Sequence, residues 1–221
     1  MFGFFKKNIS DPTTIAKDIL KELKKRYEKK EKSQETILSC LGALAGFGCQ
    51  MAIREGFIKT GKMTEDNAFT VIETQNGDKF FYGDFLNGAL LEAKTSVWSL
   101  VAGAAQSSGA KELPDIHKIC GQVAKNVGSD DFGKITVPKE HQPDEYPIES
   151  LKKEWGKMYK VILKYNYNPA FLGWYFALAA QHLIIETKDI FPPVMAVQIV
   201  MEAAVSMSKI APAKVIGIEA V

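Results

Sequence analysis

The chain has 221 residues, enough for one large domain or two small ones, and we expect one. The net charge is only +2, so the totals predict neither a nucleic-acid partner nor an acidic tail. The three cysteines are an odd number in mostly apolar surroundings, which predicts reduced, buried thiols. The first residues lack the long apolar region of a signal peptide, so a cytoplasmic protein is predicted.

A basic helix is predicted over residues 11–32, because Asp11 is a good N-cap and Pro12 suits the first helical position. Residues 1–35 hold ten Lys or Arg against six Asp or Glu. One interpretation is an arm, residues 1–32, that contacts an anionic membrane. We favour a helix lying on the core, since acids interrupt the bases throughout.

The stretch from Glu35 to Arg54 has no charge between its ends and is apolar nearly all the way round. This pattern is typical of a helix that other helices surround. Gly42 and Gly46 share one face and would let a neighbouring backbone approach closely. The same spacing occurs in membrane helices, but Gln50 and the glycines favour the interior of a protein.

Residues 68–82 predict a β-hairpin. Ala68–Thr74 and Lys79–Tyr82 are rich in β-branched and aromatic residues, and Asn76-Gly77 between them is a strong turn signal. A two-stranded ribbon is marginal by itself, so we expect it to lie on the helices or to join a sheet across an oligomer interface.

A single helix is expected from Asp84 to about Gln106. One face of this helix carries small and polar residues, namely Gly88, Glu92, Ser96, Ser99, Gly103 and Gln106. Leu90, Val97 and Val101 lie on the opposite face. We therefore expect the Gly/Ser face to meet another helix at close range or to line a groove.

The fold class predicted is mainly α: a single domain, residues 1–221, of about six helices with the accessory β-hairpin. An irregular segment is expected over residues 129–147, where three prolines and a glycine stand among charges. Further helices are predicted at 114–127, 148–164, 170–186 and from Pro193 to Pro212.

Catalytic candidates lie along one stripe of the helix at 170–186, where Tyr175, His182 and Glu186 recur at helical spacing. A carboxylate one turn from an imidazole can fix its tautomer and raise its basicity, as a general base requires. Glu92 from the Gly/Ser face is expected to join them. The alternative is that His182 is an ordinary core histidine and Glu186 a solvated helix end.

Ligand-binding candidates are Gln50 and Arg54, a donor-rich pair one turn apart, and Ser99 and Gln106 on the Gly/Ser face. No metal site is expected, because His117 and Cys120 stand alone and zinc needs three or four ligands. The phosphate-binding, dinucleotide-binding and hydrolase motifs are missing from the sequence, and no cofactor is predicted.

Two functions remain in view from the sequence. The first is a non-catalytic binding or interaction module, a homodimer that uses the Gly/Ser face and the aromatic turn around Tyr165–Trp174 as contact surface. The alternative is a small-molecule enzyme with His182 and Glu186 as its general base in a pocket between helices.

Overall fold

The computed structural model describes residues 9–217. These residues form a mainly α-helical fold with one antiparallel hairpin, which confirms the predicted fold class. In chain order the elements are α1 Pro12–Tyr27, α2 Ser33–Ile53, α3 Glu65–Ala68, β1 Thr70–Glu73, β2 Lys79–Tyr82, α4 Asp84–Asn87, α5 Val97–Ser107, α6 Ile116–Lys125, α7 Pro147–Ile162, α8 Leu172–Thr187, α9 Pro193–Met207 and α10 Ala213–Ile216. Two π-helical turns extend α2 and α4, at Arg54–Ile58 and Gly88–Glu92.

Helix α1 lies on the core, as we favoured. Asp11 caps it by accepting a hydrogen bond from the Thr13 amide at 3.1 Å. Its stripe of apolar side chains is fully buried, and comprises Ile15, Ile19, Leu23 and Tyr27. The helix ends at Tyr27, five residues before the predicted end. Residues 28–31 are all charged and exposed, so no apolar side chain holds another helical turn against the core.

Helix α2 is the centre of the fold and packs against α8 and α9. Every residue from Thr36 to Ile53 is buried. A Cβ placed on Gly42 would lie 2.3 Å from the carbonyl oxygen of Val200, so the two backbones approach as the sequence predicts. By length and composition Ser33–Ile58 could cross a membrane, and its most apolar window is wholly buried inside the protein.

The hairpin forms where predicted. Its strands pair antiparallel with Val71 opposite Phe81 and Ile72 opposite Phe80. A turn joins them, closed by a hydrogen bond from the Gly77 amide to the carbonyl of Thr74 at 2.9 Å. Gly77 adopts a φ of 81°, a left-handed conformation that glycine reaches without steric cost.

The prediction of a single helix over residues 84–106 is wrong. Helix α4 and its π-helical turn end at Glu92, and the chain becomes extended at Ala93. Ser96 then caps α5 by accepting a hydrogen bond from the Ser99 amide at 3.1 Å. The apolar spacing of residues 90, 97 and 101 fits one continuous helix, so the period alone did not reveal this break.

Residues 129–147 hold a single short 3₁₀ turn, Lys139–His141, before α7 begins. Side chains nevertheless fix the segment. The Glu202 carboxylate accepts a hydrogen bond from the Thr136 amide at 2.6 Å and another from its hydroxyl. Gln142 donates to the carbonyls of Ile135 and Val137, at 2.9 and 2.6 Å. An irregular path is therefore held by polar contacts rather than by a regular ladder.

Candidate functional site

A groove of about 520 Å³ runs between α1 and α8 and contains two of the predicted catalytic residues, His182 and Glu186. Residues three and four apart lie on the same side of a helix, so each helix presents a row of side chains to the groove. The other lining residues are basic or aliphatic: Lys17, Leu20, Lys21, Lys24 and Ile185. The groove therefore combines positive charge with apolar surface.

His182 is partly buried in this groove. Its Nε2 atom is shielded from solvent and has no hydrogen-bond partner among residues 9–217. Burial lowers the pKa of His182 below its usual value, the positive charge of Lys17 lowers it further, and Glu186 acts in the opposite direction. The imidazole is consequently neutral at physiological pH, and its shielded nitrogen is an unused polar group.

Glu186 forms an ion pair with Lys24 across the groove. Within the described part of the chain, no hydrogen bond joins its carboxylate to His182. The one carboxylate in the groove is thus neutralised by a lysine. The Lys24–Glu186 ion pair takes the place of the imidazole–carboxylate contact that a general base of the predicted kind would use.

Tyr175 and Glu92, the other two catalytic candidates, do not line this groove. Tyr175 lies near the start of α8, is fully buried, and accepts a hydrogen bond from the Asn168 amide at 3.0 Å through its hydroxyl. Glu92 ends a π-helical turn and is exposed. The predicted convergence of four groups in one pocket is therefore reduced to His182 and Glu186.

Gln50 and Arg54, the first two ligand-binding candidates, are both buried and hold parts of the chain together. Gln50 donates to the carbonyls of Ser208 and Ile210, at 2.8 and 3.2 Å. Arg54 donates to the Gln50 side chain at 3.3 Å and forms an ion pair with Glu65 at 2.6 Å. These contacts tie the end of α2 to the chain after α9.

Aromatic rings complete the surroundings of Arg54. Its guanidinium lies 4.9 Å from the ring centre of Phe69 and 4.6 Å from that of Phe81, both in or beside the hairpin. Cation–π contacts of this kind are strongest when the cation is shielded from water. Arg54 is only 3% exposed, so it anchors the hairpin to α2.

Ser99 and Gln106, the remaining two candidates, lie on a face that is turned to solvent. Ser99 donates to the carbonyls of Lys94 and Ser96, and Gln106 is exposed. A Cβ placed on Gly103 would meet no atom within 4 Å. The α5 part of the Gly/Ser face, Ser99, Gly103 and Gln106, therefore neither meets another helix nor lines a groove within residues 9–217, because the opposite, apolar side of α5 packs against α8 and α9. Ser96, which caps α5, is the buried member of the face.

The outer edge of β1 is the side of the hairpin through which it could join a sheet across an oligomer interface, one of the two arrangements expected from the sequence. All four residues of this strand are exposed, including Val71 at 39% and Ile72 at 45%. The inner strand β2 is covered, since the Phe81 amide donates to the carbonyl of Lys209 at 2.9 Å. One side of the hairpin is therefore attached to the body and the other is open.

The hairpin register fixes which main-chain groups face the open edge. The Thr74 amide donates to the carbonyl of Asp78, so this pair is hydrogen-bonded and every second pair from it is hydrogen-bonded too. Thr70 and Ile72 then point their main-chain groups at β2, whereas Val71 and Glu73 point theirs outward. No main-chain partner for these outward groups occurs among residues 9–217.

No cluster of three or more metal-binding side chains occurs within the described residues. No protein family, curated protein or solved structure matches this chain. The groove between α1 and α8 and the open edge of β1 are the two candidate sites within the described residues.

Proposed function

We propose that the protein is an interaction module that self-associates by pairing β1 with β1 of a second copy. The supporting observation is the open edge of β1, which has two outward N–H groups and two outward carbonyls. Paired edges would form a four-stranded sheet in the order β2-β1-β1-β2. Addition of a strand to an exposed edge is a recurrent mode of protein recognition.

The open edge is complementary to itself. In an antiparallel pairing about a two-fold axis at Ile72, Val71 stands opposite Glu73 of the second copy, and Glu73 opposite Val71. Each of these two pairs exchanges two hydrogen bonds, so all the outward groups are satisfied. Ile72 then faces Ile72 of the second copy at the close spacing of a non-hydrogen-bonded pair, about 4.5 Å between Cα atoms.

The side chains on this edge favour association over protection. Natural edge strands are commonly blunted by charged side chains, especially lysine, by proline or by a bulge. Thr70–Glu73 contains no lysine, proline or bulge, and Glu73 is its one charged residue. Two large aliphatic side chains, Val71 and Ile72, are exposed instead, one on each face of the hairpin. Burying them would add apolar area to the main-chain hydrogen bonds.

The alternative, an enzyme with a general base at His182, ranks second. Glu186 pairs with Lys24 and Tyr175 hydrogen-bonds to the Asn168 amide, so neither is placed to assist the imidazole. In this proposal the contact surface is the hairpin, which the sequence also offered as an oligomer interface, and not the Gly/Ser face.

The test is the molar mass in solution, measured by sedimentation equilibrium over a wide range of protein concentration. We expect the wild type to reach twice the monomer mass and Ile72→Lys to remain monomeric. Ile190→Lys is the matched control, because Ile190 is 73% exposed and lies in the turn before α9. A wild type that is monomeric throughout, or an equal effect of both substitutions, would overturn the proposal.

A further inference from the structure

We infer that the groove between α1 and α8 is a binding site for a phosphomonoester that carries a short aliphatic group. The inference is independent of self-association, because the groove and the hairpin edge share no residue. It stands on the charge balance of the groove, on one shielded polar atom and on the aliphatic lining.

The charge balance leaves two lysines without a partner. Lys24 and Glu186 neutralise each other, and Lys17 and Lys21 form no ion pair with any residue in 9–217. These two lysines lie four residues apart on α1, which places their side chains next to each other. A phosphomonoester carries a charge of about −1.5 to −2 at neutral pH and so matches two ammonium groups.

The shielded Nε2 of His182 is the second observation. A buried polar atom without a partner is uncommon in a folded protein and needs an explanation. As a neutral imidazole, His182 can donate a hydrogen bond from one nitrogen and accept one with the other. His182 lines the groove but its Nε2 atom is closed to solvent, so the side chain has to rotate before this nitrogen meets a phosphate oxygen in the groove.

The aliphatic lining completes the recognition. Leu20 is buried at the groove and Ile185 is exposed, so the groove has apolar surface beside the two lysines. A volume of about 520 Å³ holds a small organic molecule rather than a phosphate ion alone. An alkyl phosphate in solution and the headgroup of phosphatidic acid in a membrane share the required chemistry.

The experiment measures binding of hexyl phosphate by calorimetry, with inorganic phosphate and hexanol as separate titrations. Vesicles with and without phosphatidic acid then distinguish a membrane source of the headgroup from a free ligand. We expect hexyl phosphate to bind more tightly than either half of the molecule. The imidazole signals of His182 should shift in the nuclear magnetic resonance spectrum as the ligand is added.

Charge-matched variants test the site. Lys17→Gln with Lys21→Gln should weaken hexyl phosphate binding about tenfold. Lys25→Gln with Lys29→Gln removes the same charge from exposed positions outside the groove and should change binding less than about twofold. Equal losses in the two variants, or no binding of hexyl phosphate or of phosphatidic acid vesicles by the wild type, would overturn the inference.

Discussion

Gly46 of α2 lies directly against the main chain of Ala204 in α9. A Cβ placed on Gly46 would come within 2.0 Å of the Ala204 carbonyl oxygen and 2.8 Å of its Cα atom. Backbone, unlike the end of a flexible side chain, has little freedom to withdraw. The contact therefore sets the distance between the two most buried helices of the fold.

Gly46→Ala should be strongly destabilising, because the added methyl group can be accommodated only by moving α9 away from α2. Overpacking of this kind costs about 1–3 kcal/mol, and a backbone contact belongs at the upper end of that range. For a chain of this length we expect the melting temperature to fall by roughly 6–12 °C. Differential scanning calorimetry measures the change.

Gly103→Ala is the matched control. Gly103 lies inside α5, is exposed, and has open space where the methyl group would go. Alanine in a helix interior is favoured over glycine by about 0.5–1 kcal/mol, so this variant should be slightly more stable than the wild type. A loss of stability that is similar in both variants would contradict the packing argument.

Arg54→Lys should destabilise the protein although it keeps the positive charge. Arg54 contacts two ring faces, Gln50 and Glu65 at once, and a lysine ammonium cannot reproduce this planar arrangement. We expect a loss of about 1–3 kcal/mol in the free energy of unfolding, measured from the urea midpoint.

Lys59→Arg serves as the control for the Arg54 variant. Lys59 follows the π-helical turn and is exposed, and its ion pair with Glu55 spans 3.4 Å. Exposed pairs contribute little, so this exchange should change stability by less than about 0.5 kcal/mol. Equal urea midpoints for Arg54→Lys and the wild type would contradict this prediction. They would show that the contacts with the two rings and Gln50 add no stability beyond that of a positive charge at this position.

The elements that the sequence predicts well are those whose signals are local. The Asp11 cap, the Gly77 turn and the uncharged run before Arg54 each lie within one element, and each forms as expected. The break at Ser96 was missed although the residue is a good N-cap. There the apolar period ran on unbroken and outweighed a single capping signal.

The candidate site was predicted in part for the same reason. His182 and Glu186 share a groove because one helical turn separates them, which spacing alone determines. Glu186 pairs with Lys24 and not with the imidazole of His182, and this contact joins residues 162 positions apart. Tyr175 shares the stripe, but its half of α8 is enclosed and its hydroxyl meets Asn168. Partners from other elements depend on tertiary packing, which no spacing encodes.

The three cysteines should react very differently in the native protein. Cys40 and Cys49 are fully buried, and burial raises the pKa of both thiols, to about 12 for Cys49. Cys120 is partly exposed; burial raises its pKa and the nearby charge of Lys209 lowers it. Because the thiolate is the reactive form, we expect one thiol to react slowly and two to stay protected.

A thiol-specific chromogenic reagent measures this difference. The native protein should release about one equivalent of product and the denatured protein about three, in line with the three cysteines of the chain. In Cys120→Ser the native signal should disappear while the denatured protein still yields two equivalents. Rapid reaction of a second thiol in the native state would mean that the core around α2 opens readily.

Lys209 has an unusual environment for a lysine. It is 6% exposed, its ammonium lies 4.2 Å from the ring centre of Tyr82, and it forms no ion pair within residues 9–217. Burial lowers its pKa to about 8 from the usual 10.5, and Cys120 opposes the shift slightly. The folded protein therefore releases this proton at a lower pH than the unfolded chain does.

Stability linked to Lys209 should rise with pH, because between pH 8 and 10.5 the unfolded chain binds one more proton than the folded protein. Integrating this difference gives about 2 kcal/mol gained between pH 8 and pH 10. We expect the free energy of unfolding of the wild type to rise by that amount relative to Lys209→Met. Lys214→Met is the control: it removes an exposed lysine paired with Asp78 at 2.6 Å but keeps Lys209. It should therefore show the same rise relative to Lys209→Met as the wild type does. Parallel pH profiles for the wild type and Lys209→Met would therefore contradict the lowered pKa.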